Sequence, residues 1–250
     1  MALLGRYLNH LNHLKTNSPA LFHHSCRSYA AKKSFREKYQ ALFYPQRPEA
    51  PYDFVCQIGD PVLRQKCDLV DEQLIGLPKF QSFIELMWKV HKLYGCVGLS
   101  APQLGLPLQV VVIGCTEEEC KAAKSVFVQP IAKKVLINPV MKVLNYKSKV
   151  TGPEACASMC CYSALVSRFS EVRVEALNEK GTKIAFDANG FEARIIQHEI
   201  DHLSGTMYVD KMEPRTLECS VWQNVNVRKG NCQIRFKPIK DSLLHKMKLI

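Results

Sequence analysis

The pentad His198-Glu199-Ile200-Asp201-His202 holds the residues of this chain that most clearly point to chemistry. Histidines four positions apart stand one above the other on the same face of a helix. Their ring nitrogens can therefore reach one metal ion, and Glu199 can exchange protons with a water molecule on that metal. The pentad alone leaves an alternative open, in which two surface histidines flank a solvated Glu199.

A catalytic divalent metal usually has three protein ligands and one open position. The third ligand must come from outside the pentad, and His91 and His245 are isolated in the sequence. Three cysteines, Cys156, Cys160 and Cys161, lie close together before a strand candidate. The residues alone do not choose among these three thiols.

The pentad lies in a segment that carries the signals of a helix. Asn189 can serve as N-cap, and Glu192 three positions later completes a possible capping box. Gly205 stands where a C-terminal glycine is common. The apolar side of this helix is formed by Ile195, Ile196, Ile200 and Leu203.

The rest of the body predicts an α+β fold. Apolar residues at helical spacing run over Lys79–Tyr94, and Gly95 should end that helix. A turn at 178–181 should join the last two strands in a hairpin. Strand patterns cover Gln109–Ile113, Val135–Leu144, Val172–Leu177 and Lys183–Asp187. Strands that precede one central helix, with another helix before them, favour α+β over an alternating βαβ fold.

The net charge of +11 is concentrated at the two ends of the chain. Residues 1–36 carry six Lys/Arg and no acid, and residues 228–250 carry seven Lys/Arg and one acid, whereas residues 37–227 have a net charge of −1. An acid-free, basic, amphipathic start is typical of a mitochondrial transit peptide, which we predict for 1–36. A DNA-binding protein would carry its basic residues on the folded body, so we expect no DNA partner.

Composition also limits the compartment. No apolar run reaches the roughly 20 residues that span a bilayer, so we expect no integral membrane protein. The eleven cysteines lack the spacing of a disulfide scaffold and follow no secretory signal, which predicts reduced thiols inside the cell. We therefore divide the chain into a transit segment (1–36), a catalytic domain (37–227) and a basic tail (228–250).

Three motifs, in the same order along the chain, resemble those of the peptide deformylases, in particular the mitochondrial type. The first is Cys96-Val97-Gly98-Leu99-Ser100-Ala101-Pro102-Gln103, the second is Glu154-Ala155-Cys156-Ala157-Ser158, and the third is Gln197-His198-Glu199-Ile200-Asp201-His202. The similarity covers about residues 45–227. It implies a peptide-deformylase-like fold, with antiparallel or mixed sheets around a central metal-binding helix.

The resemblance implies a metal-dependent hydrolase that removes the formyl group from the N-terminal formyl-methionine of nascent mitochondrial polypeptides and releases formate. It assigns Cys156, His198 and His202 as ligands of one divalent metal ion per chain. In this family that ion is typically Fe²⁺, with Zn²⁺, Co²⁺ or Ni²⁺ as substitutes. A thiolate with two imidazoles suits several of these metals, so the residues do not choose one.

The resemblance also implies roles around the metal. Glu199 would take a proton from the attacking water and deliver it to the leaving amine. The side-chain amide of Gln103 and the backbone N–H of Ala157 would stabilise the oxyanion. For substrate binding we expect the backbone of Gly98 to approach the peptide, with Val97 and Ile195 at the methionine side chain. Ser158 and the polar pair Glu154 and Arg168 are interpreted as structural.

Three residues depart from the family pattern. Cys96 and Ala155 replace glycines, and Ala157 replaces a larger residue. If the backbone beside the ligand required a positive φ, Ala155 would be strained by about 1 kcal/mol. On that condition, Ala155→Gly would raise turnover.

Two other functions are compatible with the sequence. A different His-Glu-x-x-His metallopeptidase would need a downstream ligand, for which only His245 is available. A metal-binding pseudo-enzyme is the second alternative, supported by the altered second motif. For the deformylase itself we expect the mitochondrial matrix as compartment, with the mitochondrial ribosome as a partner that the basic tail could contact.

Overall fold

The computed structural model describes residues 48–122 and 128–238. The predicted transit segment and the residues after 238, including His245, lie outside this range. Every element below belongs to the compact unit that begins at Ala50. No helix in the described part is long and apolar enough to cross a membrane.

Five α-helices are described, and two of them are long. Helix α2, Pro78–Tyr94, begins with a proline at its first position and ends at Gly95, whose φ of 62° is left-handed. This confirms the helix predicted before Gly95. Helix α4, Gly190–Leu203, carries the pentad. The three short helices are α1 (Glu72–Ile75), α3 (Glu117–Ala122) and α5 (Trp222–Val227).

The strands form two antiparallel sheets. The five-stranded sheet has the order β1-β2-β3-β6-β7 and the three-stranded sheet the order β4-β5-β8. Strand bounds are β1 Gly98–Ser100, β2 Val110–Cys115, β3 Ile131–Val143, β4 Lys149–Cys156, β5 Met159–Phe169, β6 Glu171–Leu177, β7 Lys183–Asn189 and β8 Glu218–Cys219. The predicted α+β class and the hairpin between β6 and β7 are confirmed.

Helix α4 lies at the centre of the core. Its apolar side, including Ala193, Ile196 and Leu203, packs with the inward residues of the five-stranded sheet. The opposite side holds polar residues that are also buried, among them both histidines and the glutamate of the pentad. The polar residues of α4 are therefore buried, although His198 and Glu199 also border a cleft.

The capping box predicted at the start of α4 is wrong. Asn189 occupies the N-cap position with an extended backbone, but its side chain makes no capping hydrogen bond. Glu192 instead accepts a hydrogen bond from Lys134 Nζ on β3 at 2.7 Å. Glu192 therefore forms an ion pair with the five-stranded sheet and not a capping hydrogen bond within its own helix. The start of α4 is held by this tertiary contact.

The hairpin of β4 and β5 was not predicted. Its alternation of exposed and buried residues is clear in β4, yet the segment also holds Gly152 and Pro153, which weaken a strand pattern. Strand β4 pairs with only one neighbour among the described strands. A proline is tolerated on such an edge.

Candidate metal centre and cleft

Cys156, His198 and His202 form the one group in the described part of the chain whose side chains could hold a metal ion. One ligand atom from each residue lies within 4.8 Å of the other two, and all three residues are buried. Cys156 Sγ and His202 Nε2 are 3.3 Å apart. Of the three cysteines that the sequence left open, the fold brings Cys156 to the histidines.

Two elements position this group. The histidines are on α4, one turn apart, with ring centroids separated by 5.1 Å. Cys156 ends strand β4, which enters the two-residue turn to Met159. Tyr208 stacks on the ring of His198 at a centroid distance of 6.2 Å. The ligand set therefore bridges the central helix and the smaller sheet.

Glu154 has a larger part in this site than the scaffold interpretation assigned to it. Its Oε2 accepts a hydrogen bond from His198 Nδ1 at 2.9 Å, which leaves the other ring nitrogen free for a metal. Arg168 donates two hydrogen bonds to the same carboxylate, and Arg194 donates a third. Arg168 also binds Asp201 at 2.6 Å. The position of Glu154 two residues before the ligand on an alternating strand could have indicated its burial.

The charges in this group favour the thiolate form of Cys156 and the carboxylate form of Glu154. Burial disfavours the thiolate of Cys156, but the positive fields of His202 and His198 outweigh it and lower the pKa of Cys156 well below its usual value. Burial also opposes ionisation of Glu154. Hydrogen bonds from Arg168 and His198 overcome this effect and lower the pKa of Glu154 to about 2.

Acid should weaken the fold through Glu154. Since its pKa is about 2 in the folded chain and near 4.5 otherwise, its stabilisation is complete above pH 4.5 and is lost as the pH falls towards 2. The full difference corresponds to about 3 kcal/mol. We expect the difference in unfolding free energy between the wild type and Glu154→Gln to shrink by about 2 kcal/mol between pH 6 and pH 3 in urea titrations. A gap that stays constant with pH would contradict this expectation.

Glu199 faces the cleft from the same helix and is almost fully buried. Burial raises its pKa, although the charges of the two histidines act in the opposite direction. No described residue donates a hydrogen bond to Glu199 Oε2. A buried carboxylate oxygen without a partner is costly, so it is suited to accept a proton or hydrogen bond from a water or substrate in the cleft.

Gly98 makes room for Glu199. A Cβ built on Gly98 would lie 2.5 Å from Glu199 Oε1 and 2.8 Å from its Cγ. The backbone of Gly98 also lines the cleft, as expected from the motif. Position 98 must therefore be glycine to leave space for the side chain of Glu199. This is a more specific reason for the glycine than the expected approach of the substrate peptide.

Gly98→Ala should displace the carboxylate and leave the fold intact. A misplacement of about 1 Å at a catalytic group can lower a rate about 10²-fold. We expect a loss of that size in kcat/KM for a formyl-methionyl peptide, with an unchanged melting temperature and unchanged bound metal. Gly76→Ala is the matched control, because a Cβ there meets nothing within 4 Å. Wild-type activity in Gly98→Ala would show that the reaction does not depend on the position of the Glu199 carboxylate seen here.

Gln103 is oriented by Ser100, which the sequence analysis did not single out. Gln103 Oε1 accepts hydrogen bonds from the backbone N and the Oγ of Ser100, at 2.9 and 3.1 Å. Its Nε2 is thereby directed to Ser158 Oγ at 3.1 Å and Cys156 Sγ at 3.5 Å. An amide held in this way presents a donor beside the ligand group.

Ala157 lies in the turn between β4 and β5 and lines the same cleft. Its carbonyl accepts a hydrogen bond from Gln57 Nε2 at 2.9 Å. Ser158 next to it is fully buried and accepts from Gln103, in agreement with its structural interpretation. The hydrogen bond from Gln57 thus fixes the carbonyl of Ala157.

The cleft has a volume of about 570 Å³ and an apolar wall. Val97 and Ile195, which were assigned to the methionine side chain, both lie on it, and Phe191 adds a ring that was not predicted. The segment at 235–238 lines the cleft as well. Its Lys237 forms an ion pair with Asp53 at 2.7 Å. All predicted site residues line this cleft except His202, which lies fully buried behind it within the ligand group.

The strain considered for Ala155 is absent. Ala155 lies in strand β4 opposite Ser163, and it is not among the residues with positive φ. A glycine at this position would therefore relieve nothing in the backbone, and the expectation that Ala155→Gly raises turnover loses its basis. The methyl group of Ala155 lines the cleft instead.

Comparison with known proteins shows the family of this chain. The sequence model of the family described as Polypeptide deformylase matches residues 53–218. The human mitochondrial peptide deformylase is 40% identical over 184 residues, which cover 72% of this chain and 75% of the relative. The chloroplastic peptide deformylase 1A of Solanum lycopersicum is 41% identical over 167 residues, covering 65% of this chain and 60% of the relative.

Solved structures show the same fold. A peptide deformylase from Synechococcus elongatus, determined in complex with actinonin, aligns with a TM-score of 0.56 and 28% identity. The alignment covers 78% of this chain and 94% of that structure. The peptide deformylase from Thermotoga maritima, also 28% identical, aligns with a TM-score of 0.51 over 64% of this chain and 97% of that one.

Proposed function

Because the chain belongs to the polypeptide deformylase family, we propose that the cleft described above is its active site, with Cys156, His198 and His202 as metal ligands and Glu199 as the proton carrier. The family removes the formyl group from the N-terminus of nascent peptides, and this chain is such a metal-dependent enzyme. The observation that carries the assignment is the ligand group with Glu199 beside it in one cleft.

The donor atoms fit a divalent transition metal. One soft thiolate and two neutral imidazoles suit Fe²⁺, Zn²⁺, Co²⁺ and Ni²⁺. When bound, such a metal makes water more acidic and polarises a carbonyl oxygen. We propose Fe²⁺ as the ion used in the cell.

Glu199 would move the proton in both halves of the reaction. Its unpartnered Oε2 would take a proton from the water that attacks the formyl carbon, and then give it to the amine that leaves. Burial raises its pKa, so the carboxylic acid formed in the first half is less costly than in water. The polar environment of the ligand group and the fixed position beside Gly98 support this role.

Two donors would stabilise the negative charge that develops on the formyl oxygen. The Nε2 of Gln103 is aimed beside Cys156, because Ser100 occupies its Oε1. The backbone N–H of Ala157 lies in the turn that follows the cysteine. Donors fixed before the reaction need no reorganisation, which makes them effective in a buried site.

The substrate backbone would bind as an added strand. Among the described strands, β1 pairs only with β2, and β4 pairs only with β5. Gly98 of β1 and Pro153 to Cys156 of β4 line the cleft, so a strand edge borders it on each side. An extended peptide can use such edges for main-chain hydrogen bonds with little regard to its sequence. The methionine side chain would then contact Val97, Phe191 and Ile195.

The place of action follows from the ends of the chain. We propose that residues 1–36 direct the protein to the mitochondrial matrix, in keeping with the name of its human relative. We further propose that the basic residues after 228 attract the protein to the mitochondrial ribosome. The endopeptidase alternative is less well supported, because a cysteine from β4 stands where it would need a downstream ligand.

Formate release from formyl-Met-Ala-Ser tests the assignment. Full-length protein and a form beginning after residue 36 should be purified without oxygen and loaded with Fe²⁺ or Co²⁺. We expect formate, no cleavage of internal peptide bonds, and one metal per chain that is lost in Cys156→Ser. Metal binding at Cys156 without formate would identify a pseudo-enzyme, and cleaved internal bonds would identify an endopeptidase.

A further inference from the structure

Cys160 and Cys161 are adjacent in strand β5, yet their side chains meet. Successive residues of a strand normally point to opposite faces of the sheet. Here the two sulfurs lie 3.4 Å apart. The cause is an irregularity in the ladder with β4, which leaves residues 160–162 without partners on that strand before pairing resumes at Ser163.

The backbone of this bulge is unusual and is held from both sides. Cys161 has a φ of 68°, a conformation that few residues other than glycine adopt. The backbone N of Cys160 donates to Gln57 Oε1 at 3.3 Å, and the carbonyl of Cys161 accepts from the N of Ser220 at 2.8 Å. Bulges next to active sites often re-aim a side chain. In this one the result is a fixed pair of thiols.

Both thiols line the cleft that contains Glu199, and both side chains are partly accessible. They are outside the metal group, whose cysteine is Cys156. A second close pair in the described residues, Cys115 and Cys120 with sulfurs 3.1 Å apart, does not line the cleft. The pair Cys115 and Cys120 therefore serves as a control for a close thiol pair that lies outside the cleft.

We propose that Cys160 and Cys161 form a dithiol site for trivalent arsenicals of the type R–As=O, and that an occupant of this site obstructs the cleft. Two As–S bonds form, the As=O bond breaks, and the two thiol protons leave with the oxygen as water. Arsenic stays trivalent, so no oxidant or reductant is needed. Once one thiol has bound the arsenic, the second As–S bond forms within the same molecule. The affinity for the arsenical is therefore much higher than that of two separate thiols.

The position of the pair explains why an occupant would interfere with the enzyme. Cys160 and Cys161 line the cleft together with Ala157, which precedes them in the chain by only three and four residues. The substituent R would therefore occupy space beside the turn that carries the proposed oxyanion donor. This consequence rests on the proposed function, whereas formation of the arsenic adduct does not.

Phenylarsine oxide is the probe for the site. Metal-loaded protein, kept reduced with a phosphine, should gain one phenylarsenic group less two hydrogens at each of the two close pairs. Peptide mapping should place one group on residues 160 and 161 and allow binding there to be followed separately from binding at residues 115 and 120. We expect Cys160→Ser and, separately, Cys161→Ser to weaken binding about 10²-fold or more. Cys120→Ser, which removes the comparison pair, should bind as tightly at the cleft as the wild type.

Formate release provides the second measurement. In the wild type and in Cys120→Ser, phenylarsine oxide should inhibit at the concentration at which it binds, and in Cys160→Ser this concentration should rise by about the same 10²-fold. Equal binding of the probe at positions 160 and 161 in Cys160→Ser and the wild type, or an adduct confined to residues 115 and 120, would overturn the site. An adduct at 160 and 161 with undiminished formate release would overturn the obstruction. An adduct on protein that never releases formate would instead contradict the proposed function.

Discussion

Glu199→Gln lowers kcat/KM for formyl-Met-Ala-Ser about 10³-fold and leaves the bound metal at one per chain. Glutamine has nearly the same shape as glutamate and fits beside Gly98, but it cannot take a proton from water. General bases contribute about 10² to 10⁴ in rate, and this one would act in both halves of the reaction. The measurement is formate release at saturating metal, with metal content determined on the same samples.

The matched control is Glu192→Gln on the same helix. Glu192 is ion-paired with Lys134 at a partly exposed position and lies outside the cleft. We expect its kcat/KM to stay close to that of the wild type. A loss below about tenfold in Glu199→Gln would rule out Glu199 as the essential base. Loss of metal in Glu199→Gln would show that the carboxylate affects the rate by supporting metal binding and not by carrying a proton.

Glu154→Gln should reduce both the stability of the fold and the affinity for metal. Glu154 is 4% exposed in its side chain and neutralises two arginines, Arg168 and Arg194. Removing one partner of a buried ion pair leaves an uncompensated charge and costs about 3–5 kcal/mol. Loss of the carboxylate that orients a ligating histidine weakens metal binding about 10- to 100-fold. Urea unfolding and a competitive metal chelator measure the two effects.

Two variants separate these contributions. Asp187→Asn removes an acid from an exposed ion pair with Arg173 and should change the unfolding free energy little. Glu154→Asp keeps the charge but shortens its reach, so it should recover part of the stability and less of the metal affinity. A Glu154→Gln protein as stable as the wild type would mean that the arginines find other acceptors.

The sequence predicts most of this site because its residues obey local rules. The spacing of His198 and His202 fixes their common face once the segment is helical. The choice of Cys156 over Cys160 and Cys161 depends on a turn and a bulge, which have no local signal strong enough to read. Family resemblance, and not residue chemistry, supplied that choice before the structure.

Other features of the site could not be predicted from the sequence, because they depend on residues that are distant in the chain. The acceptor of His198 Nδ1 is Glu154, 44 positions away, and the pair of Ser100 and Gln103 becomes informative only when both are buried beside the cysteine. The capping box failed for the same reason, since Glu192 prefers Lys134 on a neighbouring strand. Local motifs therefore predicted the elements, and their tertiary partners required the fold.

The segment at 235–238 changes what kind of molecule this cleft accepts. It lines the cleft although it lies beyond residue 218, where the match to the family ends. It contributes Arg235, an exposed cation, and Phe236, whose ring is 54% exposed. An inhibitor that fills this cleft would meet the ring of Phe236 and the charge of Arg235, in addition to the metal group. Substituents of such an inhibitor that reach Arg235 and Phe236 would therefore contact a part of the chain outside the family match.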